Sequence, residues 1–474
     1  MESATQQNVL VLLCDQLQKH CLSTYGGQVT APTFERLAEE GVVFNRYYCA
    51  TPLCIPTRPS MMNGRWPHAH GAHCFGEGCD TIEKGSELLI DRLHDAGYRV
   101  GYDGAWHIRR PPEDDRTCDY VHFREEGFPY AKQGEALEAA GLSADDQRAQ
   151  IHGLTDDGVK PAQISVPVVV NWSEPKSLEE HPDMQRAQRM AEFILEAPAD
   201  QPIAAWSSLC APHPPLMVPE PYLSMYDPDD MEPPPGFGRD LSDSPRSVRE
   251  APGALGTEGW AWERWAPAIA AYYGYVAFAD HCHGIVLGAL EKSGRLDDTI
   301  VIYSTDHGEM LGAHGIYQKM VMYERSINIP MVIRAPGIEP GWRNHLTSQT
   351  DLAPTILELL AMPPLERAQG RSMAPILREP TTEWREETFS EYNGWKHGGF
   401  RMRAVIGHRY KYIYHHEDSD RDELFDLHED PDEQENILRT TRRPEIPDQL
   451  RSRLVGWMRD TDDYIKPYWS GMKH

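Results

Sequence analysis

Residues 8–16 read Asn-Val-Leu-Val-Leu-Leu-Cys-Asp-Gln, an unbroken apolar run that stops at two polar side chains. Such a run is typical of a strand buried on both faces of a parallel sheet, because helices cover it from either side. Residues 203–209 and 299–305 are further candidate strands, and the second of them also ends at a polar pair, Asp306-His307. The segment therefore predicts a strand that is buried on both faces of a parallel α/β sheet.

Helices alternate with these strands over the first 370 residues. Apolar periodicity and the Pro and Gly residues at the ends predict helices over 32–40, 86–96, 184–197 and 268–292, and another strand over 98–102. Repeated alternation of this kind predicts a doubly wound parallel sheet with crossover helices. Residues 214–266, rich in Pro, Gly and Asp, are expected to form an insertion or lid.

The pattern changes after residue 370. Short strands are predicted over 387–392, 401–406, 410–414 and 423–427, with a hairpin turn at Gly407-His408 and a last helix over about 447–464. We therefore predict an α/β catalytic domain over residues 1–370 and a small α+β domain with an antiparallel sheet over residues 371–474.

Composition narrows the classes of partner. The chain has 474 residues and a formal net charge of -27, which disfavours nucleic acid and anionic membranes as partners. Residues 1–7 lack the basic start of a signal peptide, and no apolar stretch approaches the roughly 18 residues of a membrane span, so a cytoplasmic location is expected. The 9 cysteines are scattered and without a C-x-x-C pair, which favours reduced thiols and disfavours structural zinc.

Two strand ends could hold a metal ion. Asp15-Gln16 and Asp306-His307 together offer two carboxylates, an amide oxygen and an imidazole. Ligands of open parallel sheets gather beyond the carboxyl ends of the strands, and this set suits Ca²⁺, Mg²⁺ or Mn²⁺. The alternative is that the two aspartates are N-caps of following helices. Spacing alone leaves both interpretations open.

Residues 54–71 read CIPTRPSMMNGRWPHAHG. This stretch resembles the sulfatase signature, in which Cys-x-Pro-x-Arg is followed by Gly-Arg-x-Pro-His, with Thr57 in place of the commoner Ser. The resemblance implies a formylglycine-dependent, type I sulfatase of the alkaline phosphatase superfamily, with a large doubly wound mixed sheet. In that family a formylglycine-generating enzyme oxidises the cysteine, here Cys54, to the aldehyde. The simpler alternative is a buried thiol in a Pro-rich loop.

Similarity to the family continues through residues 305–309, 329–337, 351–356 and 409–427. It implies one divalent metal, Ca²⁺ or alternatively Mn²⁺. The implied metal ligands are Asp15, Gln16, Asp306, His307 and the formylglycine oxygen at Cys54. It also implies that Arg58 and Lys319 stabilise charge on the transferring group, that His213 acts with Lys319 as the general acid, and that His107 is the base.

Some features depart from the family pattern. Ala105 stands where many sulfatases have Lys, and Arg109 or Arg110 could replace that cation. Gln16 and His307 match the branch that contains phosphonate monoester hydrolases. For His68, His70 and His73, a role in lining the pocket and a structural role both stay open, whereas a second metal site at the helical residues 281–283 is not expected.

The predicted function is hydrolysis of a sulfate monoester carried by a small molecule or an oligosaccharide, with a carbohydrate favoured by the length of the lid and the 12 Trp residues. A phosphonate monoester or phosphodiester hydrolase and a non-catalytic homologue are the alternatives. A homo-oligomer formed through the C-terminal domain is compatible with the sequence.

Overall fold

The computed structural model describes residues 7–76, 78–114, 121–122, 167, 169–172, 177–394, 399–418, 421–443 and 445–467. The strands are β1 (Asn8–Asp15), β2 (Val42–Phe44), β3 (Tyr47–Tyr48), β4 (Arg99–Gly104), β5 (Val169–Asn171), β6 (Ile203–Pro212), β7 (Leu216–Val218), β8 (Thr299–Thr305), β9 (Asn328–Ile329), β10 (Met331–Arg334), β11 (Gly341–Arg343), β12 (Thr347–Ser348), β13 (Glu387–Tyr392), β14 (Met402–Gly407), β15 (Tyr410–His415) and β16 (Glu423–Asp426). The α-helices are α1 (Pro32–Glu40), α2 (Cys54–Asn63), α3 (Pro67–His70), α4 (Leu89–Asp95), α5 (Pro182–Leu195), α6 (Arg246–Arg249), α7 (Pro252–Gly256), α8 (Trp262–Lys292), α9 (Glu324–Ile327), α10 (Leu352–Leu359), α11 (Ala374–Arg378) and α12 (Glu445–Asp460).

The central sheet has seven strands in the order β11-β2-β10-β8-β1-β6-β4. Strand β1 is fifth in this order and pairs in parallel with β6 and β8, so it is an interior strand of the kind that the opening apolar run predicts. Strand β10 is antiparallel to both β8 and β2, so the sheet is mixed and the all-parallel pattern expected from the crossovers is wrong at this strand. The chain leaves β8 and enters β10 at the same edge of the sheet without a long crossover helix, which forces the reversal.

Both faces of the central sheet are buried. Val9 and Val11 pack in one core with the α4 side chain Leu93. Leu10 and Leu12 belong to a second core with aromatic and aliphatic residues of α8. Since successive strand residues point to opposite faces, an unbroken apolar strand must have cover on both, and helices supply it here. The mixed α/β fold flanked by helices is therefore confirmed.

Predicted helices occur with shifted ends. Helix α1 has the predicted bounds, and its first N–H groups, those of Thr33 and Phe34, donate to the Asp280 carboxylate at 2.8 and 3.0 Å. Helix α4 begins three residues later than predicted, because Asp91 accepts a hydrogen bond from Leu88 N and so ends the extended approach there. Helix α8 begins at Trp262, six residues before the predicted start, with Pro267 inside its second turn.

The C-terminal part forms a four-stranded antiparallel sheet in the order β13-β14-β15-β16, as predicted. Helix α12 packs against it through Leu454 and Trp457, next to Tyr412. This helix ends at Asp460, earlier than predicted. The domain boundary at residue 370 stays a prediction.

Two general expectations can be compared with the fold. Within the described ranges, no helix has both the length and the apolar character that crossing a membrane requires, and the cytoplasmic location stays a prediction. The expectation of reduced thiols throughout is wrong for Cys74 and Cys79, which form a disulfide. Their loop folds back on itself, since the N–H groups of His73 and Cys74 both donate to Cys79 O, and this local turn brings the two sulfur atoms together.

Candidate active site

The stretch that carries Cys-x-Pro-x-Arg forms helix α2, with Cys54 as its first residue. Pro56 lies in the first turn, where its missing N–H would have no partner within the helix. The helix ends at Gly64, which has a φ of 68° and donates its N–H to Ser60 O. The alternative of an irregular Pro-rich loop is therefore wrong. Cys54 stands at the positive end of a buried helix, a place that favours anions.

The predicted metal ligands meet at the ends of β1 and β8. These strands are parallel neighbours, and Asp15 and Asp306 end up side by side with Gln16 N donating to Asp306 Oδ1 at 3.0 Å. His307 Nε2 lies 3.8 Å from Asp15 Oδ1 and 3.8 Å from Asp306 Oδ1. No α-helix directly follows either strand, so the interpretation of the two aspartates as N-caps is wrong.

Two atoms of this cluster have no hydrogen-bond partner among the described residues. Asp15 Oδ1 and His307 Nε2 are buried in this state. The ligand atoms of Asp15, Asp306 and His307 lie within 4.8 Å of one another, and so do those of Asp15, Cys54 and His107. Buried polar atoms without partners are costly, and a cation between them would satisfy them. Oxygen donors with one imidazole fit a divalent ion such as Ca²⁺ or Mn²⁺.

Arg58 joins the two carboxylates from α2. Its Nη2 is 3.0 Å from Asp15 Oδ2, its Nε donates to Asp306 Oδ2 at 3.1 Å, and its Nη1 donates to Ser208 Oγ at 2.8 Å. Burial and the neighbouring Asp306 raise the pKa of Asp15 to about 7, against the effect of Arg58. Burial opposes ionisation of Asp306 as well, but His307 and Arg58 outweigh it and lower the pKa of Asp306 to about 2. The carboxylates are thus crowded enough that added positive charge would stabilise them.

Lys319 connects the metal ligands to His213. Its Nζ lies 2.9 Å from His213 Nε2 and also donates to Gln16 Oε1. His213 Nδ1 is 2.6 Å from Pro214 O, so Nδ1 carries the proton and Nε2 accepts from the lysine. Burial and Lys319 lower the pKa of His213 well below its usual range. The two side chains form a hydrogen-bonded pair in which the ammonium donates to the imidazole.

His107 lies just beyond strand β4, on the side of Cys54. Its backbone has a φ of 52°, and its Nδ1 has no hydrogen-bond partner among the described residues. Burial and Arg58 lower the pKa of His107 to about 3, which keeps the imidazole neutral. The bend before it requires Gly104, since a Cβ there would lie 1.6 Å from Ser208 O. Burial and Asp15 raise the pKa of the unmodified Cys54 thiol to about 12.

The two arginines suggested as substitutes for the missing Lys at Ala105 have other partners. Arg109 Nη1 is 2.5 Å from Asp80 Oδ2, and Arg110 is paired with the buried Asp91. The pairing with Asp91 argues against Arg110, whereas the charge of Arg109 contributes to the lowered pKa of His107, and the suggestion stays a prediction for Arg109. Ala105 contributes its carbonyl oxygen instead, which accepts from the Arg58 guanidinium and from Ser208 Oγ.

The histidines that follow α2 are structural. His68 Nδ1 pairs with Glu391 of the C-terminal sheet, and its Nε2 is 3.0 Å from Thr461 O. His70 Nε2 is 3.0 Å from Ser60 Oγ, inside the turn that ends α2. His73 Nδ1 bonds to Gly71 O within the same loop. Both ring nitrogens of His68 and of His70 thus have protein partners, and His73 has one at Nδ1, which favours the structural role among the two left open by the sequence.

The sequence prediction assigned no role to two buried residues that support the site. Gln349 donates from Nε2 to Asp306 O at 2.6 Å, and its Oε1 accepts from Thr57 Oγ1 and from Ala50 N. Glu309 accepts from the Gln16 side chain. Glu309 stands only two residues after His307 and could have been suspected, whereas Gln349 has no local signal.

The described residues thus bring the predicted ligands and catalytic side chains into one connected group. Comparison with protein-family models matches residues 7–362 to the model described as Sulfatase and residues 312–460 to N-sulphoglucosamine sulphohydrolase, C-terminal. The chain belongs to the sulfatase family. This sulfatase is 25% identical over 463 residues to an arylsulfatase of Clostridium perfringens (strain 13 / Type A), covering 94% of its own length and 93% of that protein.

Two further comparisons extend the family relation of this sulfatase. It is 25% identical over 476 residues to an N-acetylglucosamine-6-O-sulfatase of Bacteroides thetaiotaomicron, covering 92% of this chain and 83% of the relative. The crystal structure of a phosphonate monoester hydrolase of Agrobacterium radiobacter superposes with a TM-score of 0.78 at 23% identity, covering 96% of each chain. The fold is that of the alkaline phosphatase superfamily, and the enzyme is a sulfatase.

Proposed function

We propose that this enzyme hydrolyses a sulfate monoester with residue 54 as a formylglycine nucleophile and one divalent metal bound by Asp15, Gln16, Asp306, His307 and an oxygen at residue 54. The observation that carries the proposal is the position of Cys54. It begins α2 within 4.8 Å of ligand atoms of Asp15 and His107, and one turn later Arg58 joins both carboxylates. Nucleophile, metal ligands and anion-binding cation thus meet at one point.

The charge of the site suits an anionic ester in spite of the acidic chain. Asp15, Asp306 and Glu309 contribute three negative charges, and Arg58 and Lys319 contribute two positive charges. A divalent metal would make the group positive and would act as a Lewis acid on the ester oxygen. A sulfate ester carries one negative charge, so the completed site would attract it although the whole chain has a net charge of -27.

Arg58 and Lys319 act on the transferring group, since both cations face the metal ligands. The hydrated aldehyde would supply one hydroxyl that attacks sulfur and gives its proton to Asp15, whose carboxylate lies within 4.8 Å of residue 54. Later deprotonation of the second hydroxyl would break the C–O bond to sulfate and restore the aldehyde. The S–O bond to the alcohol breaks, and the departing oxygen takes a proton from the Lys319–His213 pair. His107 is neutral and takes the proton of the second hydroxyl, so that no water molecule has to attack sulfur directly.

For the substrate we propose a carbohydrate sulfate, supported by the similarity to the N-acetylglucosamine-6-O-sulfatase. The metal is proposed to be Ca²⁺, with Mn²⁺ as the alternative because one donor is an imidazole. A phosphonate monoester hydrolase is the second candidate. Gln16 and His307 together match the metal ligands of that branch, although His307 alone also occurs in sulfatases, and the absence of the usual lysine at Ala105 keeps this candidate open.

Mass spectrometry tests the nucleophile. Trypsin should release residues 47–65 as one peptide, which holds both Cys49 and Cys54 and therefore contains its own control thiol. In protein made together with a formylglycine-generating enzyme, we expect residue 54 alone to lose about 18 Da, the change from thiol to the aldehyde that activates this type of nucleophile. A thiol at residue 54, under conditions that convert a control sulfatase, would refute the proposal.

Rates on paired substrates test the reaction class. Modified protein is compared on an aryl sulfate, on N-acetylglucosamine 6-sulfate and on an aryl phosphonate monoester, with Cys54→Ala as the control. Faster turnover of either sulfate supports the sulfatase proposal, and faster turnover of the phosphonate supports the second candidate. Equal rates for the modified enzyme and Cys54→Ala on all three substrates would indicate a non-catalytic homologue.

A further inference from the structure

We infer that Glu309 is a positioning residue that fixes the orientation of the Gln16 amide, so that its oxygen and not its nitrogen is presented to the metal. The inference rests on the proposed metal site and deepens it. A glutamine is an ambiguous ligand, because only the oxygen of its amide can bind a cation and the NH₂ group cannot. Some neighbouring group must therefore select one orientation of the side chain.

The contacts of Gln16 show how the selection is made. Its Nε2 donates to Glu309 Oε2, and its Oε1 accepts from Lys319 Nζ, on the side of the other metal ligands. A carboxylate can only accept hydrogen bonds and an ammonium can only donate them. In the reversed amide, the Gln16 oxygen would therefore face the Glu309 carboxylate, and the Gln16 NH₂ group would face the Lys319 ammonium. Glu309 and Gln16 are fully buried, so water cannot replace the lost partners.

The other oxygen of Glu309 holds the loop that carries Lys319. Oε1 accepts from Leu311 N at 2.7 Å and from Gln318 N at 2.6 Å. Both of these residues have left-handed backbone, with φ of 45° and 65°, and Gln16 itself has a φ of 69°. Residues other than glycine rarely adopt this backbone conformation unless the surrounding structure imposes it. One carboxylate therefore bonds to three residues with strained backbone around the site.

One oxygen of Glu309 faces the Gln16 amide and the other faces Leu311 and Gln318, so the donor and the acceptor at positions 16 and 309 can be exchanged by mutation. In Glu309→Gln, the oxygen facing Leu311 and Gln318 is retained, but an NH₂ group now faces the Gln16 NH₂. In the double variant Gln16→Glu with Glu309→Gln, the donor and the acceptor have changed places, and position 16 still offers an oxygen to the metal. In Gln16→Glu alone, two buried carboxylates face each other.

Metal affinity is measured by isothermal titration of the metal-free full-length protein with CaCl₂ and with MnCl₂. We expect Glu309→Gln to weaken binding by roughly 10–100-fold, as for other groups that orient metal ligands, and the double variant to regain most of that loss. The control is Glu324→Gln, which removes a buried carboxylate bonded to Lys411 and Tyr48, away from the metal ligands. It should lower the melting temperature and leave metal affinity unchanged.

The outcomes distinguish a failure of the inferred role of Glu309 from a failure of the proposed metal site. If the unaltered protein binds neither ion, the proposed metal site fails. If it binds and Glu309→Gln binds equally well, or if the double variant is no better than Glu309→Gln, the role of Glu309 is overturned. Should Glu309→Gln not fold, metal-free melting temperatures decide: the double variant must melt above Gln16→Glu, and an equal or lower value overturns the inference.

Discussion

Replacing Gln349 by Ala should loosen the connection between the helix that carries the nucleophile and the strand that carries the metal ligands. The side chain is fully buried and makes four hydrogen bonds: its Oε1 accepts from Ala50 N and Thr57 Oγ1, and its Nε2 donates to the carbonyl oxygens of Thr305 and Asp306. At about 1 kcal/mol for each net hydrogen bond lost, the free energy of unfolding should fall by about 4 kcal/mol.

The assay is urea unfolding of metal-free protein followed by circular dichroism, with the denaturant slope held common to all variants. The matched control is Gln369→Ala, an exposed glutamine whose Oε1 accepts a single hydrogen bond from Trp66 N at 2.9 Å. It should cost about 1 kcal/mol or less. If Gln349→Ala costs no more than Gln369→Ala, the side chain does not connect α2 to β8 energetically, and the reasoning is refuted.

Three further predictions concern the nucleophile, the metal and a buried histidine. Cys54→Ser should abolish sulfate release and leave the melting temperature within a few degrees of the unaltered protein, since the side chain differs by one atom; activity above that of Cys54→Ala would contradict the assignment. Removing the metal with EDTA should lower the free energy of unfolding by about 2.7 kcal/mol, compared with protein in which the free metal concentration is 100 times its dissociation constant, because Asp15 and Asp306 lose their counter-ion. Unchanged melting curves would argue against a bound metal. Burial disfavours the charged form of His68, but the neighbouring Glu391 outweighs this effect and raises the pKa of His68 above 6.5. The ion pair should therefore stabilise the fold fully below pH 6.5, and this stabilisation should be lost as the pH rises through the raised pKa. Urea unfolding of the unaltered protein and of Glu391→Gln at pH 6 and pH 9 should show the larger difference at pH 6, and the opposite order would refute the assignment.

Local sequence was sufficient for the main strands and for the composition of the site. The run that forms β1 is apolar at every position from Val9 to Cys14, so it had to lie between two covered faces. Parallel neighbours place their ends at the same edge, which is why Asp15-Gln16 and Asp306-His307 could be expected to meet. The Cys54–Arg58 spacing carries its chemistry in five consecutive residues and needs no knowledge of the fold.

Reasoning from pattern failed where a choice depended on neighbours distant in the chain. The reversed direction of β10 follows from the route of the preceding loop, not from the composition of the strand. The sequence offers Arg109 and Arg110 equally as substitutes for a missing cation, and only the fold shows that Asp80 and Asp91 are their partners. Charge alone cannot say which partner a side chain will find.

The sequence by itself determined the buried strand β1 and the family and predicted a candidate nucleophile, because periodicity and a contiguous motif record them locally. Only the tertiary structure decided how these groups are held. Gln349 contacts Thr57 across 292 residues, and Glu309 contacts Gln16 across 293. Hydrogen bonds between such distant residues leave no periodic trace in the chain, because the donor and the acceptor become neighbours only after the sheet has formed.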